Sequence, residues 1–259
     1  AHIHPALRRA LAETADDAYL AIIVEWSRGP DVLAAAEAGA ETDRLARRRQ
    51  AIAALQASRE QGAAALDSFL TAAAATGHAR DVRTFWISPV IALQARPGLI
   101  LELAGRADVA ALRLDAPIRL QPPTFEPTAA APTVAATAWN LAMIRADLAT
   151  SALGLDGTGV VVANLDTGVD WQHPALLTRY RGYRERGPAV HRGNWHVSTN
   201  EPYLYPGDGS GHGTHTMGTI VGDDGAGNRV GVAPGARWIA VKLFTNDGLT
   251  YESWIHDAF

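Results

Sequence analysis

The sequence predicts an α/β chain in two parts: a small α+β domain, then a domain built on a parallel sheet. Three observations lead there. A Pro-, Thr- and Ala-rich stretch at 121–136 divides the 259 residues nearly in half. Before it, short β-branched runs alternate with stretches rich in helix formers. After it, continuous apolar runs flank a helix start, the pattern of a βαβ unit whose strands are buried on both faces.

Residues 1–18 are polar or mildly helical and read as a segment apart. Tyr19 to Trp26 is a short apolar run with β-branched and aromatic residues, hence a strand. From Asp31 to about Ala75 the chain is rich in Ala, Arg, Leu, Glu and Gln, with Leu45, Ile52 and Leu55, then Leu66 and Phe69, at helical spacings. Val82 to Leu93 is β-like, Pro97 to Ala107 reads as a short helix, and Val109 to Leu120 alternates as a strand. Residues 19–120 thus form one α+β domain. The prolines of 121–136 remove donors and block helix, so this stretch is a linker. Beyond it, Asp156-Gly157 and Thr158-Gly159 are turn signals that introduce the strand Val160–Leu165. Residues 179–207, rich in Arg, Tyr and Gly, read as an irregular surface insertion. A helix starts near His212, Trp238 to Phe244 is a second buried strand, and Tyr251 to Phe259 opens an amphipathic helix. The second domain spans 137–259.

Composition narrows the function. Hydrophobic residues make up 47% and the net charge is −4, so the chain buries a core and offers no basic stripe for nucleic acid. Cysteine is absent, which excludes disulfides and thiolate metal sites. No apolar run approaches the roughly 18–20 residues of a membrane span.

The chemistry concentrates at two places. Val160-Val161-Val162-Ala163-Asn164-Leu165-Asp166-Thr167-Gly168 is an apolar strand ending in a carboxylate. Functional groups in open α/β sheets gather beyond the carboxyl ends of the strands. Alone, Asp166 reads more readily as an Asx turn at a strand end. An aspartic protease also carries Asp-Thr-Gly, but needs a second carboxylate to share the proton, and no second Asp-Thr-Gly occurs. Gly209-Ser210-Gly211-His212-Gly213-Thr214-His215-Thr216 places His212 between bare glycines, which permit close approach of a substrate backbone. Asp208, His212 and His215 are also metal-ligand types, but a zincin needs two His at i, i+4 with a Glu between them. Together the two places name Asp166 and His212 as candidate catalytic residues. The Asp fixes the tautomer of the imidazole and the His moves a proton. His215 reads as structural, packed against the strand ends.

Leu165-Asp166-Thr167-Gly168-Val169-Asp170, His173-Pro174, His212-Gly213-Thr214-His215 and Gly231-Val232-Ala233-Pro234-Gly235-Ala236 together resemble the subtilisin-like serine proteases. Arg179 to Tyr183, Asn194-Trp195 and Trp238 to Lys242 are most similar to the bacillopeptidase F-like group within them. The resemblance runs from about Trp139 to Phe259. It implies an Asp-His-Ser triad working through an acyl-enzyme, with Asp166 and His212 in the first two roles. It implies protein or peptide substrates, secretion to the extracellular space, and manufacture as a zymogen. Residues 19–120, through Phe85-Trp86-Ile87 and the 109–120 strand, resemble the family's ferredoxin-like, inhibitor-type propeptide, which docks on its own catalytic domain. No cofactor is implied with certainty. Calcium is the candidate, at a site that in the family uses an Asp directly after the His-Pro pair, where Ala175 stands here; the loop Asp223–Asn228 carries further carboxylates.

The Gly-Thr-Ser-Met segment that bears the nucleophile in this family does not occur in the 259 residues, nor do the family's oxyanion Asn and main substrate-pocket strands. The expectation is therefore a subtilisin-like domain cut before its serine, inactive by itself, with its substrate-binding residues unknown. An alternative is a binding module: a propeptide-like protease inhibitor joined to an inactive enzyme remnant.

Overall fold

A computed structural model describes residues 1–27, 43–121, 139–227 and 229–259. The chain divides into two compact units, Ala1–Pro117 with Tyr251–Asp257 and Phe259, and Ile118–Thr250 with Ala258.

In the first unit β1 (His2–Ile3), α1 (Pro5–Glu13) and β2 (Leu20–Trp26) lead into the long α2 (Arg44–Ala75). There follow β3 (Ala79–Thr84), β4 (Val90–Ala95), α3 (Pro97–Ala104) and β5 (Val109–Leu114). The five strands form one sheet in the order β1-β5-β2-β4-β3. All pairings are antiparallel except the short β1–β5 pair. Strand alternation sorts the side chains by face. Ile22, Val24, Trp26, Ile91, Leu93 and Leu112 point to one face, where Ala63, Leu66 and Leu70 of α2 and Leu99, Ile100 and Leu103 of α3 cover them. Ile23, Val90 and Ala92 point to the other, with Phe85.

One reading changes here. Residues 1–18 are not a segment apart: Leu7 of α1 is fully buried in the main core, and Pro5 at the first turn starts the helix without leaving a donor orphaned. Helix α2 begins at Arg44, capped by Asp43, whose carboxylate accepts the amide of Leu45 at 2.9 Å. The helical stretch read from Asp31 lies, up to residue 42, outside the described residues, as does the linker from residue 122.

The second unit holds most of β6 (Pro117–Arg119), then α4 (Trp139–Met143), α5 (Ala146–Leu153), β7 (Val161–Asp166), β8 (Trp195–Val197), α6 (His212–Val221), β9 (Arg237–Lys242) and most of β10 (Leu249–Tyr251). β6 pairs with β10. The central sheet is parallel, in the order β7-β9-β8, with Asp166 across from Lys242 and Trp195 across from Ala240. The predicted βαβ unit is present as β7-α6-β9. The stretch 179–207 is not merely an irregular insertion, because β8 extends the sheet and Tyr180 is fully buried against Trp238, ring centroids 4.6 Å apart. Trp238 donates its indole N–H to the carbonyl of Leu176 at 2.8 Å, so the core's largest ring has no unsatisfied polar atom. The final helix, α7 (Glu252–Asp257), groups with the first unit. There Arg113 of β5 bonds Glu252 through Nε at 3.0 Å and Glu25 through Nη1 at 3.1 Å, and the His256 ring lies 5.4 Å from Phe85.

Candidate active site

The apolar run of β7 carries the chain to Asp166, its last residue, and a turn must then clear the sheet. Gly168 makes that turn at φ 114°, and a Cβ there would stand 2.0 Å from the carbonyl oxygen of Gly207. Helix α6 starts at His212. Its second residue, Gly213, lies against the strand end, where a Cβ would stand 2.0 Å from the Gly168 carbonyl oxygen and 3.1 Å from the Asp166 Cβ. The glycine after the histidine is therefore required by the protein's own backbone, rather than by an approaching substrate. This contact is what brings two residues far apart in sequence together.

Asp166 and His212 meet through a hydrogen bond from Nδ1 to Oδ1 of 2.7 Å. The same Oδ1 accepts the Thr167 amide at 2.7 Å, and Oδ2 accepts the Thr216 hydroxyl at 3.0 Å. The carboxylate is buried, while the imidazole stays about a quarter exposed. A carboxylate on Nδ1 holds the proton on that nitrogen and leaves Nε2 as the ring's basic atom.

Asp208 ties the surrounding segments to each other. Its Oδ1 accepts from the Thr167 hydroxyl at 2.9 Å and from the amides of Ser210 at 3.1 Å and Gly211 at 2.9 Å. Its Oδ2 accepts the amide of Thr214 at 2.8 Å and the Thr214 hydroxyl at 2.6 Å. Thr167 in turn accepts the Gly213 amide at 2.9 Å. Burial pushes the Asp208 carboxyl upward, but the Thr214, Gly211 and Thr167 hydrogen bonds together outweigh it and hold the group below the usual carboxylate range. The charge also sits at the start of α6, where the helix dipole favours it.

Beneath the strand end, Lys242 is fully buried. Its ammonium donates to the Thr167 carbonyl at 2.6 Å and to Asn246 Oδ1 at 2.8 Å, and it faces Glu201 Oε2 at 3.0 Å. A buried cation needs such pairing, and here the pairing anchors the backbone directly after Asp166.

The other singled-out residues stand elsewhere. His215 lies exposed on α6 rather than packed against the strand ends. His173 accepts the Ala175 amide at 3.2 Å within a local turn. Asp223 and Asp224 close Asx turns on the amides of Gly225 and Ala226, both at 2.8 Å. Among the described residues no group of three or more His, Asp or Glu is placed to hold a metal ion. Asn164, Thr216, Asp208 and Lys242 are the members of the site that sequence reasoning did not assign to it. A polar amide inside an apolar strand and a lysine ending another were the available signals.

The subtilase family model matches residues 157–259. Bacillopeptidase F of Bacillus subtilis (strain 168) is 50% identical over 118 residues, which cover 43% of this chain and 8% of that protein. Subtilisin E of the same organism is 38% identical over 102 residues, covering 39% of this chain and 23% of the relative. An alkaline protease of Alkalihalobacillus alcalophilus is 36% identical over 152 residues, covering 59% and 34%. The chain thus spans only a minor part of each relative's length. Within it, residues 157–259 belong to the subtilase family, as part of a subtilisin-like serine protease domain.

Proposed function

We propose that this chain carries the Asp and His of a subtilisin-like serine endopeptidase, Asp166 and His212, behind an inhibitor-type propeptide domain. The 2.7 Å bond from His212 Nδ1 to a buried carboxylate carries the reading. In the reaction, His212 Nε2 accepts the proton of an attacking serine hydroxyl as the acyl-enzyme forms and returns it to the leaving amine. Asp166 holds the tautomer and stabilises the imidazolium. No residue of the 259 occupies the family's nucleophile motif, so these residues alone do not hydrolyse peptide bonds. For subtilisin itself the known cost of losing the nucleophile is on the order of a million-fold, or about 8–9 kcal/mol of barrier.

The propeptide role of residues 19–120 is supported by the β-α-β-β-α-β order of the first unit and its strand order β5-β2-β4-β3, a ferredoxin-like arrangement. By the resemblance to subtilisin-like proteases, substrates are proteins or peptides and the enzyme acts outside the cell.

The test is to read the coding DNA past the codon for Phe259 and express the full reading frame. A Gly-Thr-Ser-Met-Ala segment within one domain's length, with casein hydrolysis abolished by Ser→Ala there and by His212→Ala, is the expected result. Hydrolysis that survives His212→Ala refutes the assignment. The self-contained core of the first unit also favours the inhibitor reading, which takes over if no such segment exists and the chain inhibits a full-length subtilisin competitively.

A further inference from the structure

The oxygen of Asp166 that does not face His212 is held by a second pair of side chains. Thr216 Oγ1 lies 3.0 Å from Asp166 Oδ2, the only hydrogen bond to that oxygen among the described residues. Asn164, two residues before Asp166 on β7, donates from Nδ2 to Thr216 Oγ1 at 2.9 Å and to the Gly213 carbonyl at 3.1 Å. A carbonyl only accepts, so the amide group of Asn164 must face this way and the Thr216 oxygen must be an acceptor from it. The one hydroxyl hydrogen of Thr216 then has two candidate acceptors, Asp166 Oδ2 and the Gly213 carbonyl, both at 3.0 Å. The carbonyl already receives Asn164, and the charged acceptor makes the stronger bond. The hydrogen bonds therefore run in one direction, Asn164 to Thr216 to Asp166, with His212 donating from the other side.

We propose that Thr216, oriented by Asn164, is a positioning residue that fixes the carboxylate plane of Asp166 and divides its charge, so that Oδ1 alone is presented to His212. This rests on the serine-protease reading above and deepens it. Three donors at fixed positions, the Thr167 amide, His212 Nδ1 and the Thr216 hydroxyl, define the carboxylate's orientation; without the third it can turn about its Cβ–Cγ bond. Without that donor, more negative charge also falls on Oδ1 and the imidazolium proton is held more tightly. The other charged groups of the site are Asp208, committed to Thr167, Thr214 and the loop amides, and Lys242, committed to the Thr167 carbonyl and Glu201.

The experiment is an NMR titration of His212 in the 259-residue chain, its signal identified among nine histidines by His212→Gln. Thr216→Val removes the hydroxyl at nearly constant volume and is expected to raise the His212 midpoint by about half a unit, roughly threefold in proton affinity. It also lowers the fraction of neutral ring protonated at Nδ1. Thr216→Ser restores both. A midpoint unchanged or lowered by Thr216→Val in a folded chain overturns the proposal, as does a shift that Ser does not reverse. If Thr216→Val does not fold, Asn164→Val/Thr216→Val replaces both polar partners by apolar ones, a change that is near-neutral for stability, and is read the same way. Asp166→Asn separates the two layers of inference. If it leaves the His212 midpoint in place, the Asp–His pairing itself fails; if it lowers the midpoint while Thr216→Val has no effect, only the present proposal fails.

Discussion

Asp208 links the end of β7, the loop before α6 and the first turn of α6, so its removal tests how the site is held. Asp208→Ala strips partners from the hydroxyls of Thr167 and Thr214 and from the amides of Ser210, Gly211 and Thr214. Ser210 and Gly211 are exposed, so water replaces those two bonds at little cost. Thr167 is fully buried and Thr214 half-buried, and hydrogen bonds to a charged group contribute about 1.5–3 kcal/mol each. The loss of a negative charge at the helix start adds about 0.3–1 kcal/mol. Because these terms overlap, about 3 kcal/mol is expected rather than their sum. The assay is amide hydrogen exchange in the intact chain, read at Gly213 and Thr214. Gly213 reports because its amide bonds the Thr167 hydroxyl that Asp208 orients. Local opening easier by about 3 kcal/mol accelerates exchange on the order of a hundredfold. Exchange within threefold of the parent chain would refute the view that Asp208 holds the helix start onto the strand end. In the parent chain the Asp208 contribution is fully present above the unfolded carboxyl value. It is lost as pH falls through the lower folded value, so the protection of these amides, relative to their intrinsic exchange at each pH, should fall on acidification.

Gly213→Ala forces a Cβ to 2.0 Å from the Gly168 carbonyl and should cost more than about 3 kcal/mol, seen as loss of the His212–Asp166 pairing in the His212 NMR signal. Tyr180 is buried and its phenol is pushed up to about 12 by burial, so the folded form holds its proton where the unfolded form has released it. Stability should fall by roughly 2–3 kcal/mol between pH 10 and 12, and Tyr180→Phe should flatten that limb of a urea-unfolding series. In the first unit, hydrogen bonding by Arg113 holds Glu252 below its ordinary value, so its contribution is lost as pH falls through the folded value. Arg113→Ala should cost about 1–2 kcal/mol at neutral pH and less in acid, measured by the same unfolding series. Val161 on the edge strand β7 and Val160 just before it stay half exposed, so residues 137–259 alone should bind ANS and unfold without a sharp transition; a cooperative melt would contradict this.

Local sequence determined the elements that depend on nearest neighbours. The apolar run to Asp166, the turn at Thr167-Gly168 and the helix start at His212 are legible because strand, turn and helix each leave a short-range pattern. The two motifs taken together also marked Asp166 and His212 as the residues to watch. Other features were not legible. β8 is a strand of three residues within a stretch rich in Arg, Tyr and Gly, and pairing with β9 makes it a strand. Leu7 looked incidental until α1 packed on the sheet. Asn164 and Lys242 stand in mostly apolar strands, and only the position of each strand in the sheet shows which buried partner each polar group meets. Thr216 faces Asp166, and Thr167 and Asp208 grip Gly213 and Thr214, because bare Gly213 lets α6 settle on the end of β7. A hydrogen bond across tens of residues depends on the packing distance between a helix and a strand, which no local pattern encodes. Sequence alone therefore named the candidate groups, and tertiary packing decided what holds them in place.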